Sequence, residues 1–137
     1  MSSDPEAVAQ LWITSLSAHD LEAAVNCFDA AYVDEAPARR GDSVQGQDSV
    51  RRNFSMLLSD LPDLTATISR TVADGDDVWM EWSMRGTRRD GTLLEFVGVN
   101  IFQVKDGRFH SGRIYTEIVR DAGGIDAQIN RMTKGNS

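Results

Sequence analysis

The sequence predicts an α+β fold, with helices first and an antiparallel sheet after them. Three observations predict it. The pairs Asp74-Gly75, Asp90-Gly91 and Asp106-Gly107 fall 16 residues apart. Asp-Gly between apolar runs marks a tight hairpin, because glycine supplies positive φ at no steric cost. The runs between these pairs are β-branched and aromatic, whereas the segment before Pro62 repeats its apolar residues at helical spacing. Each strand of the meander then has about 12 residues, against a usual 5 to 6, so the sheet must curve to fit a small domain. Gly86, Gly98 and Gly112 interrupt the last three strands, and interior strand glycines mark bulges, bends or close backbone approach. The result is three N-terminal helices packed on a curved antiparallel meander that makes a hollow.

Taken in order, Ser3 or Asp4 caps a first helix, with Pro5 in its first turn and Glu6 placed for a capping box. Val8, Leu11, Trp12 and Leu16 form its apolar stripe. Asp20 caps a second helix that turns Leu21, Ala24, Val25 and Phe28 inward, and an extended piece follows from Tyr32 to Glu35. The stretch from Ala36 to Gln47, with Pro37, Gly41 and Gly46, reads as an irregular loop. Asp48 starts a third helix with Val50, Phe54, Leu57, Leu58 and Leu61 facing the core, and Pro62 stops it. A four-stranded meander runs from Leu64 to Val119. Residues 1–120 form one domain, and residues 121–137 are a polar, frayed tail.

The formal net charge is −7, which argues against a nucleic-acid footprint, since phosphate binding needs clustered Lys and Arg. Arg85, Arg88 and Arg89 precede a turn and read as solvated charge at a strand end. Cys27 is the lone cysteine, so no disulfide forms within the chain, and no Cys or His spacing suggests zinc. No cofactor is implied. An acidic start, MSSDPEAV, is not a signal peptide, and no apolar run is long enough to span a membrane. These features place the protein in the cytoplasm.

Val97, Val99 and Ile101 alternate with Phe96, Gly98, Asn100 and Phe102, so both faces of one strand are apolar. One face lines the hollow and the other needs a cover, most simply a second copy of the sheet. A homodimer through the outer sheet face is the expectation.

The opening AVAQLWITSLSAHDLEAAVNCFDAAYVDEAP and the closing GVNIFQVKDGRFHSGRIYTE resemble the nuclear-transport-factor-2-like (NTF2-like) superfamily. The resemblance is to its SnoaL-like polyketide-cyclase, ketosteroid-isomerase and limonene-epoxide-hydrolase branches, and it covers nearly the whole chain. It implies a cystatin-like cone with a deep pocket, in a group that includes isomerases, cyclases, hydrolases and non-catalytic modules. Ketosteroid isomerases use a helix-1 tyrosine, a first-strand carboxylate and a protonated aspartate on the penultimate strand. This sequence offers Trp12, Glu35 and Asn100, the second by way of a one-residue gap without which the position is Ala36. The water-activating positions of the epoxide hydrolases hold Trp82, Met84 and Ile114, which excludes that chemistry. For the acid/base aspartate of the polyketide cyclases the nearest carboxylate is Glu117.

With that facing, Trp12, Leu16, Glu35, Met80, Trp82, Met84, Phe96, Asn100, Phe102, His110, Ile114 and Thr116 point inward. They make an apolar, aromatic pocket with few polar groups, the lining of a small-molecule site. Glu35 is the expected general base, since desolvation beside an apolar cavity raises a carboxylate toward useful basicity. The Asn100 amide is the expected electrophile for an enolate oxygen, or else a structural hydrogen-bonding group. Trp12 adds its indole N–H or serves as packing, and His110 is a proton shuttle or a surface residue. Arg113, Tyr115 and Glu117 alternate on the outer side, as do Trp79 and Glu81. Two functions fit: a cofactor-independent isomerase or cyclase acting on a hydrophobic polycyclic ketone, or a non-catalytic ligand-binding or dimerisation module.

Overall fold

The computed structural model describes residues 4–121 and 123–134. Its elements are α1 (Pro5–Ser17), α2 (Leu21–Val25), β1 (Phe28–Glu35), β2 (Ser43–Gln45), α3 (Gly46–Asp60), β3 (Thr65–Asp74), β4 (Asp77–Thr87), β5 (Leu93–Lys105), β6 (Arg108–Ile118) and α4 (Gly124–Thr133). The architecture is α+β, with helices packed on a curved sheet. That sheet has six strands in the order β2-β1-β6-β5-β4-β3, not four, because β1 pairs with β6 in parallel and the short β2 pairs antiparallel with β1. A crossover from the start of the chain to the last strand leaves no adjacent-residue signal, which is why the meander alone is visible in the sequence.

Each Asp-Gly pair sits in the turn it predicts. Between β5 and β6, Asp106 and Gly107 both have positive φ, 53° and 77°, as a two-residue turn matched to strand twist requires. Gly75 and Gly91 are likewise left-handed between β3, β4 and β5. Gly98 serves close approach: a Cβ there would lie 2.3 Å from the Tyr115 carbonyl oxygen and 2.5 Å from the Trp82 ring. The missing side chain lets the sheet curve and lets Trp82 lie across β5.

Asp4 caps α1, its carboxylate accepting from the Glu6 amide at 3.0 Å; Ser3, the alternative cap, lies outside the described residues. Of the predicted α1 stripe, Leu11 is exposed, and Ala9 and Ile13 are buried instead. The buried face therefore winds from Val8 and Ala9 through Trp12 and Ile13 to Leu16. Phe28 opens β1 rather than closing α2, and α3 begins at Gly46 rather than Asp48. The core is aromatic. Trp12 meets Phe28, Phe102 and Phe109 edge-on at 5.9, 5.6 and 6.0 Å, and Phe102 stacks on Phe109 at 3.9 Å. Such pairs contribute about 0.5 to 1.5 kcal/mol each beyond their buried area.

The stretch expected to fray contains a helix. Gly123 and Gly124, both left-handed, turn the chain after β6, and α4 follows with no buried residue. Its sequence mixes polar residues with Ile125, Ile129 and Met132 at helical spacing, a pattern that the surrounding glycines mask in a composition reading.

Candidate functional site

Strand parity decides which side chains reach the interior. On β4 and β5 the pairs Val78–Phe102, Met80–Asn100 and Met84–Phe96 face the helices, with Trp82 opposite Gly98. Met80, Trp82, Met84, Asn100 and Phe102 are buried with Trp12 and Leu16. Phe96, Ile114 and Thr116 continue the same face but are only half-buried. The concave face is therefore closed at the Phe102 end and more open toward Phe96. At that open end a cavity of about 570 Å³ lies between α3 and the β4–β5 turn, lined by Met56, Leu57, Leu61, Leu94, Arg88 and Arg89 among others.

Two of the sequence-predicted positions lie elsewhere. Glu35 is exposed and accepts an ion pair from Arg113 in the adjacent register position of β6. It faces outward because β1 turns its even-numbered residues inward over this stretch. The inward carboxylate is Asp34, one residue earlier. Its Oδ2 accepts from the Tyr32 hydroxyl at 2.7 Å and its Oδ1 from the Val44 amide at 3.1 Å. Burial pushes the Asp34 carboxyl above its ordinary value, outweighing the Tyr32 and Val44 bonds and the Arg39 charge. Tyr32 is itself buried, and burial together with the Asp34 charge holds its hydroxyl protonated well above the usual tyrosine range.

His110 also departs from expectation. A bulge opposite Gln103 and Val104 inserts one residue into β6, so Phe109 takes the inward position and His110 leaves the alternation. Its Nδ1 lies 2.8 Å from Asp29 Oδ2, both side chains half-buried at the edge of β1. Glu117, like Arg113 and Tyr115, is exposed on the outer face.

Gly112 ties the carboxylate to the aromatic interior. It pairs with Asp34 on one side and Phe102 on the other, and a Cβ there would lie 2.7 Å from the Tyr32 hydroxyl and 2.9 Å from the Phe102 ring. Tyr32 and Trp12 both pack against Phe28 and Phe102. One Asn100 position further along β5, the concave face carries a second polar group. Trp12 Nε1, Trp82 Nε1 and Asn100 Oδ1 are buried with no hydrogen-bond partner among the described residues. A buried polar atom left unpaired costs about 1 to 3 kcal/mol, so these three are the interior atoms with most to gain from a hydrogen bond. Among the described residues no group of three His, Cys, Asp or Glu side chains is arranged to hold a metal ion.

Helices packed on a curved six-stranded sheet define an α+β class of protein. Residues 9–111 match the SnoaL-like domain family. The chain belongs to that family. No curated protein matches it. Among solved structures, IdmH of Streptomyces antibioticus, described as a candidate polyketide cyclase, is 21% identical, with a TM-score of 0.71 over 83% of this chain and 92% of that one. A cystatin-fold protein of Novosphingobium aromaticivorans is 19% identical, with a TM-score of 0.71 over 84% and 98%. An epoxide hydrolase of M. tuberculosis resembling limonene epoxide hydrolase is 18% identical, with a TM-score of 0.69 over 81% and 80%. These likenesses concern the fold; the chemistry must be argued from the residues present.

Proposed function

We propose that the protein is a cofactor-independent acid/base catalyst that moves a proton α to a carbonyl in a hydrophobic, polycyclic ketone. The observation that carries this reading is the set of three unpaired polar atoms, Trp12 Nε1, Trp82 Nε1 and Asn100 Oδ1, on one concave face. A ligand carrying carbonyl or hydroxyl groups pairs them and recovers the desolvation cost. Asp34 replaces Glu35 as the base, because it is the carboxylate that turns inward, burial raises it and Tyr32 orients it. Trp12 donates its indole N–H to the developing enolate oxygen. Asn100 joins it after a half-turn of its amide, which presents NH₂ in place of Oδ1. The apolar set Leu16, Met80, Trp82, Met84, Phe96, Phe102, Ile114 and Thr116 supplies shape; His110, held by Asp29, stands outside the reacting groups.

A second reading keeps the pocket without the chemistry. Its support is the tryptophan in place of a helix-1 tyrosine and the single inward carboxylate. Incubating the protein with fused-ring enones and aromatic polyketides separates the two. The catalytic reading expects turnover that Asp34→Asn abolishes while ligand affinity stays within about threefold. Unchanged turnover in that variant overturns it, and binding without turnover favours the second reading.

The outer sheet face supports pairing of two copies. Trp79, Val97 and Tyr115 are 53%, 37% and 39% exposed there, and exposed large apolar side chains on a sheet face suit an interface. Among the described residues no helix is long and apolar enough to cross a membrane. The thiol of Cys27, pushed up to about 11 by burial, is inert, in keeping with a reducing cytoplasm.

A further inference from the structure

The open end of the concave face carries a cation that the proposed reaction does not use. Arg88 begins the turn between β4 and β5, where its amide donates to the Thr92 carbonyl at 2.8 Å and its carbonyl accepts from the Gly91 amide at 2.9 Å. Its side chain is tied back onto the same turn: Nη1 donates to Thr92 Oγ1 at 3.1 Å and to the Leu93 carbonyl at 3.4 Å. Both acceptors are neutral. They engage one corner of the guanidinium. Nε and Nη2, the edge that meets a carboxylate through two parallel hydrogen bonds, have no partner among the described residues.

The neighbouring charges are engaged elsewhere. Arg89 Nη2 pairs with Asp60 Oδ1 at 3.2 Å. Asp63 accepts from the Thr87 amide and hydroxyl, both at 2.7 Å. Asp90 accepts from the Thr92 hydroxyl at 2.6 Å and amide at 3.0 Å, and these bonds, ahead of the Arg88 charge, hold its carboxyl below the ordinary value. Beside this turn lies the cavity of about 570 Å³, which Arg88 lines together with Met56, Leu57, Leu61 and Leu94. Ligand sites span roughly 300 to 1,000 Å³. Leu94 stands opposite Gly86 and two residues before Phe96, so it shares the inward face of β5 and the cavity continues the concave interior.

We propose that this mouth binds the carboxylate end of an amphipathic ligand. The apolar body lies on Met56, Leu57, Leu61 and Leu94, and the carboxylate on the Nε–Nη2 edge of Arg88. The inference rests on the ligand-pocket reading given under Proposed function and adds an acidic group to that ligand. Charge complementarity selects the occupant: a single open guanidinium edge matches a monoanion, whereas a phosphate dianion calls for a second cation and Arg89 is held by Asp60. The chain's net charge of −7 repels an anion at long range, so recognition comes from the fork itself. Arg88 thus has a role beyond the solvated strand-end charge that the sequence suggests.

Fluorescence anisotropy of the full chain with pyrenebutyrate, and with pyrenebutyramide as its neutral isostere, tests this. Arg88→Gln, Arg88→Lys and Met56→Glu are compared with the wild type, each checked for folding by circular dichroism. The wild type is expected to bind the acid about tenfold or more tighter than the amide. Arg88→Gln is expected to abolish that preference while keeping amide affinity within about twofold, which reports an intact cavity. Arg88→Lys, which keeps the charge and loses the fork, is expected to lose most of it. Met56→Glu, at an exposed position of the lining, weakens both probes. Equal wild-type affinity for acid and amide leaves the pocket reading standing and overturns the carboxylate. A preference that survives in either Arg88 variant, or undiminished binding of both probes by Met56→Glu, overturns the assigned site. Binding of neither probe at about 100 μM overturns it as well, and the turnover assay with neutral enones then decides the catalytic reading separately.

Discussion

Asp34 and Glu35 are neighbours in sequence and lie on opposite faces of the same sheet. The inner face removes Asp34 from water, gives it a tyrosine donor and raises its carboxyl. Glu35, on the outer face, stays solvated with Arg113 as its partner. The same contrast runs along the whole sheet. Inward, Trp12 Nε1, Trp82 Nε1 and Asn100 Oδ1 have no partner among the described residues, whereas the outward Glu35 and Arg113 pair with each other. A side chain's chemistry here follows from the face it occupies more than from its type, because desolvation, not proximity in sequence, sets basicity and the cost of an unmet hydrogen bond.

The largest expected break in this comparison is catalytic. Asp34→Asn lowers turnover by about 10² to 10⁴-fold, the usual contribution of a positioned general base, while Glu35→Gln changes it less than about twofold. Equal losses in steady-state kinetics would erase the distinction between the faces.

Next comes the curvature that makes an inner face at all. Gly98→Ala forces a Cβ against the Tyr115 carbonyl and the Trp82 ring, and urea unfolding is expected to register a loss of about 3 kcal/mol or more. A neutral result means that the curvature does not depend on this close approach.

Asn100→Leu sharpens the point about unpaired groups. Removing a buried amide that has an unpaired oxygen stabilises the ligand-free fold by about 1 kcal/mol and weakens ligand binding. A destabilised variant assigns Asn100 to a structural hydrogen bond instead.

The smallest effect is a pH dependence. The folded-state pKa of Asp34 lies above its ordinary 3.8, so its contribution to stability is fully present below that value and is lost as pH rises through the raised one. Asp34→Asn should therefore gain in melting temperature relative to wild type as pH climbs through that window, and match it in more acid solution. Parallel melting curves at every pH would place the carboxylate in water, like Glu35.

Much of the fold was legible because it is written locally. The Asp-Gly pairs fix three turns through backbone φ alone, and the period-2 pattern of β4 and β5 sets Trp82, Asn100 and Phe102 on one face with Trp79, Val97 and Val99 on the other. The site was legible where that alternation is unbroken. It failed at β1, whose inward residues follow an irregular stretch between Phe28 and Val33, and at β6, where the bulge at His110 breaks the count. The Tyr32-x-Asp34 spacing was available as a signal, since residues two apart on a strand share a face, but nothing nearby shows which face. Helix α4 was missed because its apolar residues are sparse and flanked by glycines.

The sequence by itself determined the helices-then-meander order, the turn positions and the apolar character of the interior, all of which follow from φ preferences and periodicities carried by neighbouring residues. Only the tertiary structure decided that β1 pairs with β6, that Asp34 rather than Glu35 turns inward, and that polar atoms of Trp12, Trp82 and Asn100 are buried without partners among the described residues. Those outcomes depend on register between segments some eighty residues apart, and a single inserted residue in either strand reverses them.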